Sequence, residues 1–140
     1  MYLLDTNLVS ELRKARTGRA DPGVVAWAAS VGGEDQHLSV ITVLELELGV
    51  QLRERRDPSQ GEILRAWLER QVLVGLAGRI LPIDTDIARR CAGLHVPNRR
   101  PDRDALIAAT ALVHGLTVVT RNVRDFDGTG VALHNPWSDR

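Results

Sequence analysis

The spacing of apolar residues changes several times along the chain, and each change predicts a new element. Residues 2–5 form a short apolar run that ends at a carboxylate, Asp5, and residues 7–14 read as a helix. After a polar loop over 15–20, the Asp21-Pro22 pair opens a second helix that runs to about Val31, since proline is tolerated in a first turn. Residues 37–41 predict a second strand. From Thr42 the pattern is ambiguous: Leu44, Leu46, Leu48, Val50 and Leu52 alternate at period two, as in a strand. Thr42 and Glu45 nevertheless have the spacing of a capping box, and Leu44, Leu48 and Leu52 share one helical face, which favours a helix.

Asp57-Pro58 breaks that element. Residues 59–76 resume as a helix with an apolar stripe at Ile63, Leu64, Trp67, Leu68 and Val72, closed by Gly78. A third strand (79–83), a helix (84–95) and a loop (96–101) follow. Residues 102–114 make the most apolar helix, of the kind buried against a sheet, and His114-Gly115 supplies its end. Residues 116–120 are a fourth strand and 131–134 a weak fifth. Strands alternating with helices at these intervals predict an α/β fold with a mainly parallel central sheet flanked by helices.

Composition narrows the class. A chain of 140 residues suits a single domain spanning 1–140, and 44% hydrophobic with 26% charged residues is a globular balance rather than a disordered or membrane one. No apolar run is long enough to span a bilayer, and Asp5 arrives before any basic leader or apolar signal core could form, so a cytoplasmic protein is expected. Cys91 is the only cysteine and reads as a small buried apolar residue. His37, His95, His114 and His134 are dispersed without metal-ligand spacing. Eighteen basic residues balance eighteen acidic ones, so any affinity for nucleic acid must be local. Lys14 is the only lysine; the remaining basic residues are arginine, which suits bidentate phosphate contacts but also follows from genome composition.

Ligand sites of open sheets lie beyond the carboxyl ends of strands. Four acidic residues share that address: Asp5 after strand one, Glu45 in the first turn after strand two, Asp104 in the first turn of the buried helix and Asp125 after strand four. Brought together without a counter-ion they would repel, and some would take up protons. A hard divalent cation removes that conflict, and such an ion activates water for attack on a phosphodiester. Each residue also has a simpler reading. Asp5 could cap a helix, Glu45 could pair with Thr42 in a cap, Asp104 could answer a helix dipole, and Asp125 could be turn chemistry.

Four blocks carry a resemblance that weighs against those simpler readings. Leu4-Asp5-Thr6-Asn7, Ser39 to Leu46 ending at Gly49, Asp104 to Ala111, and Leu116 to Asn122 resemble the successive blocks of a PIN domain, in family order and across nearly the whole chain. The Ala77 to Pro82 stretch and the Asn135-Pro136-Trp137 ending resemble the bacterial VapC and FitB-like branch. The resemblance implies a three-layer α/β/α fold and the toxin of a type II toxin–antitoxin system: a Mg²⁺-dependent (or Mn²⁺-dependent) endoribonuclease. It further implies neutralisation by a VapB-like antitoxin, DNA reached only through that antitoxin, and a homodimer. It makes Asp5 and Asp104 metal ligands and Glu45 a further acidic member. The fourth position is divided between Asn122, an amide here, and Asp125, which is assigned the role. Thr6, Thr42, Thr120 and Asn122 are expected to support the site, with Thr42 capping the helix that carries Glu45.

Arg99, Arg100, Arg103, Arg121 and Arg124 are the candidates for phosphate contact, against the alternative of a solvated surface. Few aromatics are available for base stacking, so selectivity is expected to rest on RNA shape and backbone, with Trp27 and Trp67 in core or interface. The stripes at residues 42–52 and 63–72 are candidates for antitoxin or self-association contacts as well as for core. Two other functions compete. A phosphoryl-transfer site of the receiver or dehalogenase kind wants a lysine near a later strand end, and Lys14 lies in the first helix. A PIN module acting only by binding is favoured by Asn122 and opposed by Asp5, Glu45 and Asp104.

Overall fold

The computed structural model describes residues 1–138. Five parallel strands, β1 (Tyr2–Leu4), β2 (Gln36–Ser39), β3 (Ile80–Leu81), β4 (Thr117–Val119) and β5 (Leu133–His134), form one sheet in the order β3-β2-β1-β4-β5. Between them lie α1 (Thr6–Arg13), α2 (Pro22–Ser30), α3 (Val40–Arg56), α4 (Pro58–Trp67), α5 (Leu73–Gly75), α6 (Thr85–Leu94) and α7 (Asp102–His114). A π-helical segment, Leu68–Val72, joins α4 to α5, so the predicted helix over 59–76 is one rod with a widened middle.

Adjacent strand residues point to opposite faces, and the core divides accordingly. Leu4, Leu38 and Val119 meet Leu8, Val24, Leu46, Val50, Leu68 and Val72 on one side of the sheet. Leu3 and Val118 meet Ile107, Ala108, Ala111 and Phe126 on the other. Helix α6 closes the second side through Ile87 and Cys91 against Ala105 and Ala109 of α7. The expected three layers are therefore present. The alanines of α7 allow two neighbours, sheet and α6, to approach it, and burying each large aliphatic in these clusters contributes about 1.5–3 kcal/mol.

Two expectations need correction. Helix α3 begins at Val40 rather than Thr42, because Ser39 at the end of β2 caps it, its Oγ accepting from Ile41 N at 3.0 Å. Thr42 is consequently inside the helix and fully buried, the Thr42–Glu45 capping box does not form, and Glu45 lies in the second turn. The face of α3 turned to the core is Thr42, Leu46 and Val50, which leaves Leu44, Leu48 and Leu52 exposed at 47%, 41% and 60%. The 63–72 stripe is mostly core: Leu68 and Val72 are buried, Leu64 and Trp67 pack against them, and Ile63 is exposed.

Helices α3 and α4 form a tight hairpin. Gly61 permits the approach, since a Cβ there would collide with the backbone of Glu54. Arg65 then ties the pair together, donating to both oxygens of Glu47 (2.8 and 2.7 Å) and both of Glu54 (3.2 and 3.0 Å). Among the described residues no helix is long and apolar enough to cross a membrane.

Candidate active site

Strand order reverses around β1, with β2 and β3 on one side and β4 and β5 on the other. The crevice beyond the carboxyl ends of β1 and β4 is thus the place where an open α/β sheet binds ligands. Asp5 and Thr120 are the residues that follow those two strands. Asp5 N donates to Val119 O at 3.0 Å, continuing the ladder into the crevice, and its side chain then caps α1.

Asp5 is only 7% exposed and is hydrogen-bonded on both oxygens. Oδ1 accepts from Thr6 N at 2.9 Å; Oδ2 accepts from Thr120 Oγ1 at 2.8 Å and from Asn7 Nδ2 at 3.3 Å. The buried Thr120 hydroxyl in turn accepts from Asn7 Nδ2 (3.2 Å) and Asn122 N (3.0 Å). Asn122 therefore supports the site through its backbone. Thr6 Oγ1 donates to Glu45 Oε1 at 2.6 Å and lies 3.5 Å from Thr42 Oγ1, so Thr42 contributes from inside α3 rather than as a cap. Asn7 is a site residue that sequence reasoning missed; its Oδ1 also accepts from Arg121 N at 3.3 Å, and its place two residues after Asp5 was the available signal.

Asp104 stands in the first turn of α7 and Asp125 in a 3₁₀ turn, Val123–Phe126, after β4. Burial pushes the Asp104 carboxyl up to about 6, helped by the charges of Asp125, Asp5 and Glu45, with no hydrogen bond among the described residues offsetting them. Burial also raises Asp5, the hydrogen bonds from Thr120 and Thr6 pull it back, and the charges of Glu45 and Asp125 raise it further. The four predicted carboxylates therefore share one electrostatic neighbourhood, and Asp125, not Asn122, brings the fourth charge. The nearest recorded cation is Arg103, whose Nη1 lies 3.8 Å from Glu45 Oε2. Among the described residues, no three acidic, histidine or cysteine groups converge tightly enough to cage an ion as they stand.

The predicted arginines separate. Arg103 and Arg124 are exposed beside Asp104 and Asp125, and Arg99 is exposed 3.8 Å from Asp102. Arg121 lies over the Trp137 ring at 5.8 Å. Arg100 differs from them: its guanidinium donates to protein carbonyls, Leu94 O (3.0 Å) and Asp127 O (2.6 Å). Cys91 is buried as expected. Among the described residues His37, His95, His114 and His134 join no metal-ligating group.

Comparison with known proteins bears on the fold and the family. Residues 2–131 match the PIN domain model. The chain is 40% identical to VapC ribonuclease Y4jK of Sinorhizobium fredii over 98% of each chain. It is also 40% identical to toxin FitB of Neisseria gonorrhoeae, covering 99% of this chain and 100% of that protein. The crystal structure of FitAcB from Neisseria gonorrhoeae superposes with a TM-score of 0.89 at 40% identity, covering 99% of both chains. With a sheet, a crevice and an acidic quartet of this form, and with those matches along its length, the chain belongs to the PIN domain family.

Proposed function

We propose that this chain is a divalent-metal-dependent endoribonuclease and the toxin of a type II toxin–antitoxin pair acting in the cytoplasm. The observation that carries the reading is that Asp5 and Asp125 follow β1 and β4 and that the charges of Asp125, Asp5 and Glu45 all bear on Asp104, whose carboxyl burial pushes up to about 6. That donor set is all oxygen and short of positive charge, which fits Mg²⁺ or Mn²⁺. Asp5 and Asp104 would hold the ion, with Glu45 and Asp125 completing the acidic set. When bound, such an ion supplies activation of water and neutralisation of charge on the scissile phosphate.

The protein's own groups do the positioning. Thr120, Asn7 and the Thr6 amide fix both oxygens of Asp5, and the Thr6 hydroxyl aims Glu45 at the same crevice. Arg103 lies 3.8 Å from Glu45 and Arg124 precedes Asp125, and with the exposed Arg99 and Arg121 they would supply contacts to the RNA backbone. A binding-only PIN module is less well supported, because Asp125 provides the charge that Asn122 lacks.

The partners follow from the same branch of the family: a VapB-like antitoxin, DNA only through that antitoxin, and a second copy of the chain. Leu44, Leu48 and Leu52 form the exposed apolar row suited to a protein contact. Leu48→Glu is expected to remain folded, with stability changed by no more than about 0.5 kcal/mol, and to lose antitoxin binding or self-association; an insoluble variant would return the row to the core.

The nuclease reading is tested by incubating antitoxin-free protein with total cellular RNA and Mg²⁺ or Mn²⁺, beside a chelator control and the Asp5→Ala/Asp104→Ala variant. Metal-dependent cuts absent from both controls are expected. Folded, metal-loaded protein that cuts nothing in a broad RNA set overturns the proposal.

A further inference from the structure

We propose that Arg100 is a positioning residue of the acidic centre, a clamp that sets Asp104 and Asp125 against each other from behind. The inference rests on the metal-nuclease reading above. Arg100 sits in the link between α6 and α7, four residues before Asp104. Its Nε donates to Leu94 O at the end of α6 (3.0 Å), and its Nη1 donates to Asp127 O (2.6 Å), the residue that closes the turn bearing Asp125. Its backbone N–H donates to His95 Nδ1 at 3.0 Å. The other ring nitrogen, Nε2, lies 3.4 Å from Asp102 Oδ1, in the first residue of α7, and 3.9 Å from Cys91 Sγ. One residue with its histidine partner thus joins the end of α6, the start of α7 and the Asp125 turn.

The turn is shaped to receive it. Gly128, with φ +79°, follows Asp127, and a Cβ there would lie 2.7 Å from Arg100 Nη2. A side chain at 128 would be strained by its backbone and would press on the guanidinium. Lysine cannot replace the clamp, because a single ammonium on a flexible stem lacks the planar fork that reaches two separate carbonyls. Among the described residues no hydrogen bond reaches the side chain of Asp104 or Asp125, whereas Thr120 donates to Asp5. The placement of these two carboxylates therefore depends on the backbones that carry them, and Arg100 ties those backbones together.

The test compares wild type, Arg100→Ala, Arg100→Lys and Gly128→Ala. Calorimetric Mn²⁺ titration, kinetics on a defined RNA and amide hydrogen exchange are measured on each. Groups behind metal ligands typically act by about 10–100-fold. Arg100→Ala is expected to weaken Mn²⁺ binding and lower kcat by that factor with KM for RNA unchanged, with partial recovery on adding free guanidinium but little from Arg100→Lys. Exchange should quicken together over residues 102–106 and 122–130, a readout that needs neither metal nor substrate. A rise in KM alone would return Arg100 to RNA contact and overturn the clamp, as would unaltered exchange in both segments. A wild type that neither binds Mn²⁺ nor cuts RNA would instead sink the nuclease reading, while the exchange result still decides the clamp.

Discussion

On the β1–α1 side of the crevice Asp5 is buried among three hydrogen-bond donors, whereas on the α7 side Asp104 meets burial and negative charge with no donor to offset them. The first side has its geometry settled by the protein itself. The second carries unrelieved electrostatic stress and gains most from a cation. Division of this sort makes an apo site both pre-aligned and receptive: one carboxylate marks the position, and the other supplies the drive to neutralise it.

The largest expected effect exposes the difference directly. Asp5→Ala and Asp104→Ala should each reduce cleavage on the order of 100-fold or more, since even groups behind metal ligands reach that scale. Thermal melts without metal should then part company. Asp104→Ala is expected to raise Tm by removing a stressed charge, and Asp5→Ala to lower it by removing a helix cap and stranding the Thr120 and Asn7 donors. Shifts of the same sign in both would erase the distinction between the two sides.

Next in size is Thr120→Val, which keeps the shape and deletes the hydroxyl that Asp5, Asn7 and Asn122 share. Denaturant unfolding should report a loss of about 1–3 kcal/mol. A neutral result would mean that Asp5 is no better supported than Asp104.

Smaller, but opposite to ordinary acid behaviour, is the pH dependence of the metal-free protein. The folded Asp104 carboxyl titrates near 6 against an ordinary 3.8, so on acidification the folded state takes up its proton before the unfolded state does. Stability should therefore rise as pH falls from 7 through 6 towards about 4, where the unfolded chain protonates as well. Asp5, raised in the same direction, adds to the rise. Asp21 and Glu47, whose carboxyls are lowered by hydrogen bonds from Ser138 and Arg65, act with the opposite sign but only below their ordinary values. Melting curves with and without Mn²⁺ across this range provide the check; a steady fall of the metal-free Tm below pH 7 contradicts it.

Much of the fold was legible because apolar period and strand spacing are local signals, and a parallel sheet with α7 buried against it follows from them. Asp5 and Asp104 were legible for the same reason, each standing at a strand end or a helix start. The cap of α3 was not. Ser39 and Thr42 are both hydroxyl residues that can start a helix, and only the end of pairing in β2 decides between them. The exposed face of α3 was likewise undetermined, because alternating leucines fit two registers and the packed neighbours choose one. The contact of Arg100 with Asp127 was not legible, because that carbonyl is remote in sequence and carries no side-chain signature.

The contact at Gly61 has a genetic consequence. Every missense change in a glycine codon introduces a side chain or a ring, and at this position any such atom would be driven into the backbone of Glu54, on the same helix that carries Glu45. A gene whose product is proposed to be a toxin would thus contain a codon, outside the acidic set itself, at which loss of function is readily reached by mutation. Survivors selected under expression of this chain without its antitoxin should include changes at residue 61 alongside those at Asp5 and Asp104.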